Sequence, residues 1–355
     1  MTDSPQAVAS GRAGRAAGAL PDSPKSVDVL SEVLHAVRLR GAVYYAVSAS
    51  SPWVAEAPPA RELAPFVMPG AEHVIEYHVV TSGSCWAGLV GEQPVRLQGG
   101  DVIVFPQGDA HVVASSAGMR GPVDLTFHEQ SALQRLPVRV DYGGTGQDPV
   151  QLVCGFLACD ARPFNPLLSA LPRVMHVKRR SGSHGEMLDH FMSSALIETC
   201  TPQAGGEVVL ARLSELMFVE VVRQYVASLD RAQAGWLSGL RDDLVGRALA
   251  ALHAHPARSW TLDVLAREVG ASRSVLAQRF TQFVAVPPMQ YLAKWRMQIA
   301  GTLFAGPSSM AEIAQSIGYG SEAAFSRAFK KTVGVAPAMW RAMRSVPRDC
   351  HQAGR

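Results

Sequence analysis

The C-terminal third of the chain contains an internal repeat, which restricts this region to a duplicated helical unit. Residues 262–270 (LDVLAREVG) recur as residues 310–318 (MAEIAQSIG), shifted by 48 residues, and beyond the turn the shift becomes 49. Apolar residues continue to match after the turn, and the pairs are Leu276 with Phe325, Phe280 with Phe329, Val284 with Val333, Val286 with Val335, Pro288 with Pro337 and Tyr291 with Trp340. Because apolar residues occupy equivalent positions, both copies are predicted to fold in the same way.

Each copy is predicted to form two helices around a tight turn. In the first copy, the apolar residues at positions 262, 265, 266 and 269 share one helical face, and Gly270 can adopt the left-handed conformation that ends a helix. Ser272 is the expected N-cap of the second helix, whose apolar residues follow at spacings of four and three. The second copy has Gly318 at the turn and Ser321 as the cap. The pattern therefore predicts two helix-turn-helix units.

A connecting helix is predicted between the two copies, from Pro288 to Phe304. Its apolar residues at positions 292, 295, 299 and 303 have gaps of three, four and four, and the dipeptide Gly306-Pro307 ends the pattern. At 1.5 Å per residue such a helix is roughly 25 Å long, which would separate the two units by about one turn of DNA. One rigid connector would therefore set their spacing.

The N-terminal half contains short, closely spaced apolar runs that are typical of a β-sandwich or β-barrel. A short helix is predicted first, from Val27 to Leu39. The predicted strands span residues 42–47, 73–80, 85–90, 94–97, 101–105, 111–114, 150–157 and 173–177. Residues 187–229 return to helical spacing, which fits either a dimerisation helix or a helix that covers the sheet.

Charge is divided unevenly along the chain, although the formal net charge is only +3 over 355 residues. Residues 1–239 contain 18 Lys and Arg against 23 Asp and Glu, whereas residues 240–348 contain 14 against 6. A basic segment attached to an acidic remainder is typical of a nucleic-acid-binding module joined to another domain. The 48% content of hydrophobic residues excludes a fibrous or largely disordered chain.

Cysteine usage and the N-terminal segment indicate the compartment. Five cysteines without a C-x-x-C spacing indicate neither a disulfide framework nor a zinc finger. No run of about 18 apolar residues occurs, so neither a transmembrane helix nor a membrane partner is predicted. Residues 1–25 lack the apolar core of a signal peptide and are rich in Gly, Ala, Ser and Pro, which predicts a disordered tail in a cytoplasmic protein.

The repeated units resemble the AraC/XylS family of bacterial transcription regulators over residues 241–344. The resemblance is carried by three stretches: WTLDVLAREVGASRSVLAQRF, PPMQYLAKWRMQIAGTLF and IAQSIGYGSEAAFSRAFKKTVGVAPAMWR. It implies a DNA-binding domain in which the second helix of each unit lies in the major groove. Double-stranded DNA is therefore the expected partner, RNA polymerase is a further candidate partner, and the protein is expected not to be an enzyme.

The same resemblance implies which residues contact DNA. Base edges would be read by outward-facing residues of the two second helices: Arg273, Ser274, Ala277 and Gln278 in the first unit, and Glu322, Ala323, Ser326 and Arg327 in the second. Arg327 is the leading candidate, because a guanidinium can bind guanine through two hydrogen bonds. The residues expected to contact phosphates, or otherwise to form only a solvated basic face, are Arg279, Arg296, Lys330 and Lys331.

The N-terminal half resembles cupins, small β-barrels that often hold a metal or a small ligand. The spacing Gly100-x5-Pro106-x-Gly108-x2-His111 carries this resemblance, and the other cupin motif is reduced to Glu76-Tyr77-His78, with Ser82 where a carboxylate is expected. Glu76, His78 and His111 would be the ligands if the barrel held a divalent metal. The favoured interpretation is that they line a barrel without a metal, and no cofactor is predicted.

A candidate effector pocket is formed by Glu76, His78, Cys85 and His111. Cys85 follows His78 on the next predicted strand. It is either an oxidant sensor, if a positive neighbour lowers its pKa, or a small buried apolar residue.

The predicted architecture is α+β and multidomain: a cupin-like β-barrel with helices, followed by an all-α tandem helix-turn-helix domain. The predicted domains are a tail (1–25), a cupin-like regulatory domain (26–185), a helical linker or dimerisation region (186–239) and a DNA-binding domain (240–345). The leading interpretation is a sequence-specific transcription regulator whose cupin-like domain binds a small effector or mediates homodimerisation. The alternatives are a metal-dependent cupin enzyme with an accessory helical domain, and a purely structural partner-binding protein.

Overall fold

The computed structural model describes residues 27–134, 136–179, 183–201, 203–230 and 233–345. The tail predicted over residues 1–25 lies outside these ranges. Within them, an N-terminal part contains two β-sheets with covering helices, and the C-terminal part is helical throughout. The predicted fold class, α+β followed by a tandem helix-turn-helix domain, is confirmed.

The described residues contain ten β-strands and fourteen α-helices, numbered in chain order. The strands are β1 (Arg40–Ser51), β2 (Val54–Ala57), β3 (His73–Ser82), β4 (Ser84–Leu89), β5 (Val95–Gln98), β6 (Val102–Phe105), β7 (His111–Ala114), β8 (Val138–Tyr142), β9 (Gln147–Cys159) and β10 (Met175–Val177). The helices are α1 (Val29–Ala36), α2 (Ala60–Val67), α3 (Leu125–Ser131), α4 (Pro166–Ala170), α5 (Ser183–Cys200), α6 (Gly206–Ser228), α7 (Trp236–Gly239), α8 (Asp243–Ala254), α9 (Leu262–Glu268), α10 (Arg273–Val284), α11 (Pro288–Leu303), α12 (Met310–Ser316), α13 (Glu322–Val333) and α14 (Pro337–Ser345).

The strands form a six-stranded sheet in the order β10-β6-β3-β9-β1-β8 and a four-stranded sheet in the order β2-β7-β4-β5. Neither sheet closes on itself, so the predicted barrel is a pair of open sheets over a shared apolar core. Strand β3 has apolar residues on both of its faces. Val74 and Val80 belong to the core between the sheets, whereas Ile75, Tyr77 and Val79 belong to the core under the covering helices, because successive side chains alternate between faces.

Helices α5 and α6 account for the helical pattern predicted over residues 187–229. Met217 and Val221 of α6 are buried against the outer face of the six-stranded sheet. Gly41 on β1 allows close approach of α6, because a Cβ atom there would lie 2.7 Å from the carbonyl oxygen of Ala211. This packing corresponds to the interpretation of a helix that covers the sheet, and dimerisation through the region stays a prediction.

The two helix-turn-helix units form as the repeat predicts, with α9 and α10 in the first, α12 and α13 in the second, and α11 between them. Gly270 and Gly318 at the turns have φ angles of 66° and 85°, in the left-handed region. Ser272 Oγ accepts a hydrogen bond from the backbone of Val275, and Ser321 Oγ accepts one from the backbone three residues on. The predicted turns and caps are therefore confirmed.

Helix α11 contributes to two separate apolar cores. Leu292 and Trp295 belong to the core that runs from the covering helices of the N-terminal part into the first unit, whereas Met297 and Phe304 belong to the core of the second unit. Gln298 adds a polar contact, because its Nε2 donates to the carbonyl oxygen of Ala36, the last residue of α1, at 2.8 Å. The first unit thus shares its core with the N-terminal part, and the second unit has a core of its own.

Over the described ranges, none of the helices is both long and apolar enough to cross a bilayer.

Candidate nucleic-acid interface and ligand cavity

Helix α10 exposes the residues that the sequence predicts to read bases in the first unit. Arg273, Ser274 and Gln278 are exposed, and Ala277 is half-buried. The opposite face of the helix is buried in the core, which fixes the direction of the exposed face. Arg273 Nε lies 3.2 Å from Oδ1 of Asp263, an exposed ion pair that DNA phosphates or bases could replace at little cost.

Helix α13 presents the second set of predicted base-reading residues in the same way. Glu322, Ala323 and Arg327 are exposed, and Ser326 is half-buried. Arg327 forms no hydrogen bond or ion pair with any residue that the structure describes. Its guanidinium can therefore bind an external acceptor without first breaking a hydrogen bond or ion pair with a described residue.

The four predicted phosphate contacts differ in their surroundings. Lys330 and Lys331 are exposed in the last turn of α13. Arg279 is also exposed, but its Nε and Nη2 donate to Oδ2 of Asp242 at 2.9 and 2.6 Å. Asp242 is the N-cap of α8, so this pair joins α10 to the start of α8.

Arg296 is the most enclosed of the four. Its Nε donates to the carbonyl oxygen of Pro256 at 2.7 Å, and its Nη2 donates to that of Arg258 at 2.9 Å. The guanidinium lies 5.6 Å from the ring centroid of Tyr319. Arg296 therefore links α11 to the loop before α9 and to the turn of the second unit, in addition to the phosphate contact that the sequence predicts.

A cavity of about 420 Å³ lies within the N-terminal part, lined by residues of both sheets and of α3. Three of the four predicted pocket residues, Glu76, His78 and His111, line it. Its aromatic lining residues were not predicted from the sequence, and they are Tyr45, Trp53, Phe127, Tyr142 and Phe156. Trp53 lies beside β2, and Tyr142 is the last residue of β8. Neither strand was predicted from the sequence, so the alternation of side chains along a strand could not identify these two residues as lining the cavity.

Cys85 does not line this cavity. It is buried on β4, and burial raises the pKa of its thiol to about 12, so the thiol is protonated at neutral pH. Cys154 lines the cavity instead, and it pairs with His78 in the register between β3 and β9. Alternation along the predicted strand 150–157 was the signal that could have identified it, because Cys154 and Phe156 share one face of that strand.

The two histidines hydrogen-bond to each other inside the cavity wall. His111 Nδ1 lies 3.0 Å from the carbonyl oxygen of Asp109, which can only accept, so this nitrogen carries the proton. His111 Nε2 is then the acceptor for Nε2–H of His78, at 2.7 Å. Burial lowers the pKa of His111 to about 4 and that of His78 well below its usual value, so both rings are neutral at pH 7.

Glu76 adjoins this pair, with its Oε2 at 3.8 Å from Nε2 of His111. Its side chain is only 2% exposed, and burial raises the pKa of the carboxyl to about 8. The carboxyl is therefore mostly protonated at pH 7. Three buried atoms of cavity-lining residues have no partner among the described residues: Glu76 Oε1, His78 Nδ1 and Trp53 Nε1.

The arrangement of Glu76, His78 and His111 does not fit a metal site. The two Nε2 atoms that would face a shared ion are hydrogen-bonded directly to each other. Within the ranges that the structure describes, no group of three or more His, Cys, Asp or Glu side chains is arranged to hold a metal ion.

Comparison with known proteins agrees with this division into two parts. A cupin family matches residues 28–227, and a helix-turn-helix domain family matches residues 265–343. The chain is 32% identical over 279 residues to an AraC-like transcription regulator of Streptomyces lividans, covering 78% of this chain and 90% of that protein. It is 28% identical over 317 residues to the HTH-type transcriptional regulator AlkR of Acinetobacter baylyi, covering 89% of this chain and 99% of that protein.

Among solved structures, the chain is similar to the DNA-binding domain of AdpA in complex with a target DNA. The identity is 26% and the TM-score is 0.28, with coverage of 29% of this chain and 93% of that chain. The relatives are named as transcription regulators, and the cupin match alone extends over more than half of the chain. This protein belongs to the AraC-type family of DNA-binding transcription regulators, and its N-terminal part is a cupin domain.

Proposed function

We propose that the protein recognises a specific DNA sequence through α10 and α13, and that a small molecule in the cupin cavity regulates this binding. The observation that carries the proposal is that the base-reading candidates of both helices, six of them exposed and two half-buried, lie on helix faces opposite a buried core. Helix α11 contributes side chains to both cores and therefore holds the two helices at one spacing. Such an arrangement suits two adjacent segments of the major groove.

The two units would contribute differently to recognition. Arg327 provides the donor pair that binds guanine N7 and O6, which gives sequence information. On α10, Ser274 and Ala277 are too short for a bidentate contact and suit methyl contacts or DNA shape. Lys330 and Lys331 would neutralise phosphates and strengthen binding to any sequence.

The cavity would act as the regulatory site, because an effector shifts a conformational equilibrium only by binding one arrangement more tightly than another.

We place the DNA-binding domain of the protein at residues 240–345 and the regulatory domain at residues 26–185. The protein would act in the cytoplasm, where bacterial DNA and RNA polymerase, a further candidate partner, are found. A homodimer is supported by the exposed apolar side chains of Ile197 on α5 and of Val208 and Leu216 on α6.

The test is a salt-dependent mobility shift on DNA fragments that the protein selects from fragmented genomic DNA. Arg327→Ala should weaken binding to the selected fragments by about 1–3 kcal/mol and leave binding to unrelated DNA nearly unchanged. Arg61→Ala is the matched control, because it removes one exposed arginine from α2 of the cupin domain. Undiminished binding of Arg327→Ala to the selected fragments would remove Arg327 from the base-reading set, and failure to select any fragments would overturn the proposal.

A further inference from the structure

The charged residues that line the cupin cavity are all acidic. They are Glu56, Asp124 and Asp141. Glu76 also lines the cavity, but its buried carboxyl is mostly protonated at pH 7, and no Lys or Arg is among the described residues that line it. Glu56 is neutralised, because Arg120 Nε donates to its Oε2 at 2.7 Å. Asp124 and Asp141 are exposed lining residues, so they place two negative charges on the solvent side of the cavity.

No histidine offsets these charges. Burial lowers the pKa of His128, which accompanies Asp124 in the lining, so this ring is neutral at pH 7 like those of His78 and His111. Burial is the main cause of the raised pKa of Tyr142, and the charge of Asp124 adds to it.

Aromatic rings form the walls beyond these carboxylates. Trp53 and Tyr142 are stacked with ring centroids 6.0 Å apart and planes at 26°, and Tyr45 and Phe127 are stacked with centroids 5.5 Å apart. Aromatic faces attract cations, and the attraction is strongest when the cation is shielded from water. They also offer a large apolar surface to the body of a ligand.

Two buried polar atoms at the inner side of the cavity lack partners among the described residues. His78 donates from Nε2 to His111, so its buried Nδ1 can only accept. Glu76 Oε1 is likewise buried without a partner among the described residues. Buried polar atoms without partners cost free energy, and a ligand that donates an N–H to Nδ1 of His78 would recover part of it.

We propose that the cupin cavity binds a hydrophobic ammonium ion, meaning a protonated amine on an aromatic or aliphatic body. The inference deepens the proposed regulation, since it names the chemical class of the effector. An organic anion would enter an acidic cavity without a counter-charge and would lose its hydration. A neutral ligand of the same shape would contact the aromatic walls but would have no electrostatic attraction to the carboxylates of Asp124 and Asp141.

The experiment compares three probes that share one apolar body: 4-phenylbutylamine, 4-phenylbutanol and 4-phenylbutanoate. Binding to the full chain at pH 7 is measured by isothermal titration calorimetry, since the amine is protonated there like a lysine side chain. We expect the amine to bind at least about tenfold more tightly than the alcohol, and the butanoate to bind more weakly than the alcohol. Binding of the alcohol or the butanoate as tightly as the amine would overturn the proposal, as would no amine binding up to about 1 mM.

The variant Asp124→Asn with Asp141→Asn tests the source of the preference. Asp124 Oδ1 accepts from the backbone of Phe127 at the start of α3, and asparagine can keep this cap without the charge. The double variant should bind the alcohol normally and lose most of the preference for the amine, whereas Glu62→Gln, on α2 and outside the lining, should keep it. An unchanged preference in the double variant would contradict the inference. A mobility shift on the same samples separates the two proposals, because DNA binding without amine binding overturns only this one.

Discussion

Arg344 on α14 donates a hydrogen bond from Nη2 to Oε1 of Glu72 at 2.6 Å. The same nitrogen donates to Oδ1 of Asp160 at 3.1 Å, and this carboxylate also accepts two hydrogen bonds from Arg38. Glu72 directly precedes β3 and Asp160 directly follows β9, and both strands line the cupin cavity. Trp340 of α14 belongs to the core of the second helix-turn-helix unit, so α14 attaches this unit to the ends of two strands that line the cavity.

This contact predicts that Arg344→Ala loosens the second unit selectively. The pair is partly buried and belongs to a network of charges, so it contributes more than an isolated surface ion pair, about 1–2 kcal/mol. Hydrogen exchange of the backbone amides in α12, α13 and α14 should become about five- to thirtyfold faster, while exchange in α9 and α10 stays unchanged. Arg179→Ala, which removes an exposed pair with Asp189, is the control and should change neither region. Equal hydrogen-exchange rates of α12, α13 and α14 in Arg344→Ala and in the native protein would show that the contact does not stabilise the second unit.

Sequence reasoning succeeded where local signals determine the structure. Backbone conformation within a few residues determines the turns at Gly270 and Gly318 and the serine caps. Because the segment is repeated, the same pattern occurs in both copies and supports the prediction for each. The cavity depends instead on which side chains converge from strands far apart in the chain. Trp53 and Tyr142 stack across such a distance, and no local pattern indicates it.

The contact between Arg344 and Glu72 was missed for the same reason. The two residues are 272 positions apart, and each looks like an ordinary surface charge in its own segment. Arg296 illustrates a further limit, because the resemblance to DNA-binding domains gave this basic residue a contact with phosphate. Only the positions of the carbonyl groups of Pro256 and Arg258 reveal the hydrogen bonds that it makes inside the protein.

Removal of Lys330 and Lys331 together should weaken DNA binding without changing sequence preference. Both side chains are exposed in the last turn of α13, and we predict that they contact phosphates. If each lysine neutralises one phosphate, the slope of log affinity against log salt should become shallower by about 2 in the double alanine variant. Lys294→Ala is the comparison, because Lys294 lies 5.6 Å from the ring centroid of Phe164 and faces the cupin domain. A changed ratio of specific to nonspecific binding in the double variant would contradict a role confined to phosphates.

Arg296→Ala should act mainly on stability. The substitution leaves the carbonyl oxygens of Pro256 and Arg258 without these donors and removes the stacking on Tyr319. The free energy of unfolding should fall by about 1–3 kcal/mol, measured by urea denaturation followed by circular dichroism. The salt slope of DNA binding should change less than in the Lys330 and Lys331 variant. A fully stable variant with a slope shallower by about 1 would instead support phosphate contact as the main role of Arg296.

The free energy of unfolding of the helical domain should fall in mild acid because of the buried His253. The ring is buried against Trp295, with centroids 4.2 Å apart, and its Nε2 lies 2.8 Å from the hydroxyl of Tyr291. Burial lowers its pKa to about 3, whereas a histidine in the unfolded chain titrates near 6.5. Below pH 6.5 the unfolded state therefore binds a proton that the folded state does not. This group alone then lowers the free energy of unfolding by about 1.4 kcal/mol per pH unit as the pH falls towards 3.

The substitution His253→Gln should remove this part of the pH dependence. The variant will be less stable than the native protein at pH 7, because it loses the contact with Trp295, but the difference should narrow as the pH falls from 6.5 to 4.5. Urea denaturation at several pH values measures both curves, and His255→Gln, at an exposed side chain two residues away, serves as the control. Parallel curves for the native protein and His253→Gln would mean that the buried ring already binds its proton in the folded state.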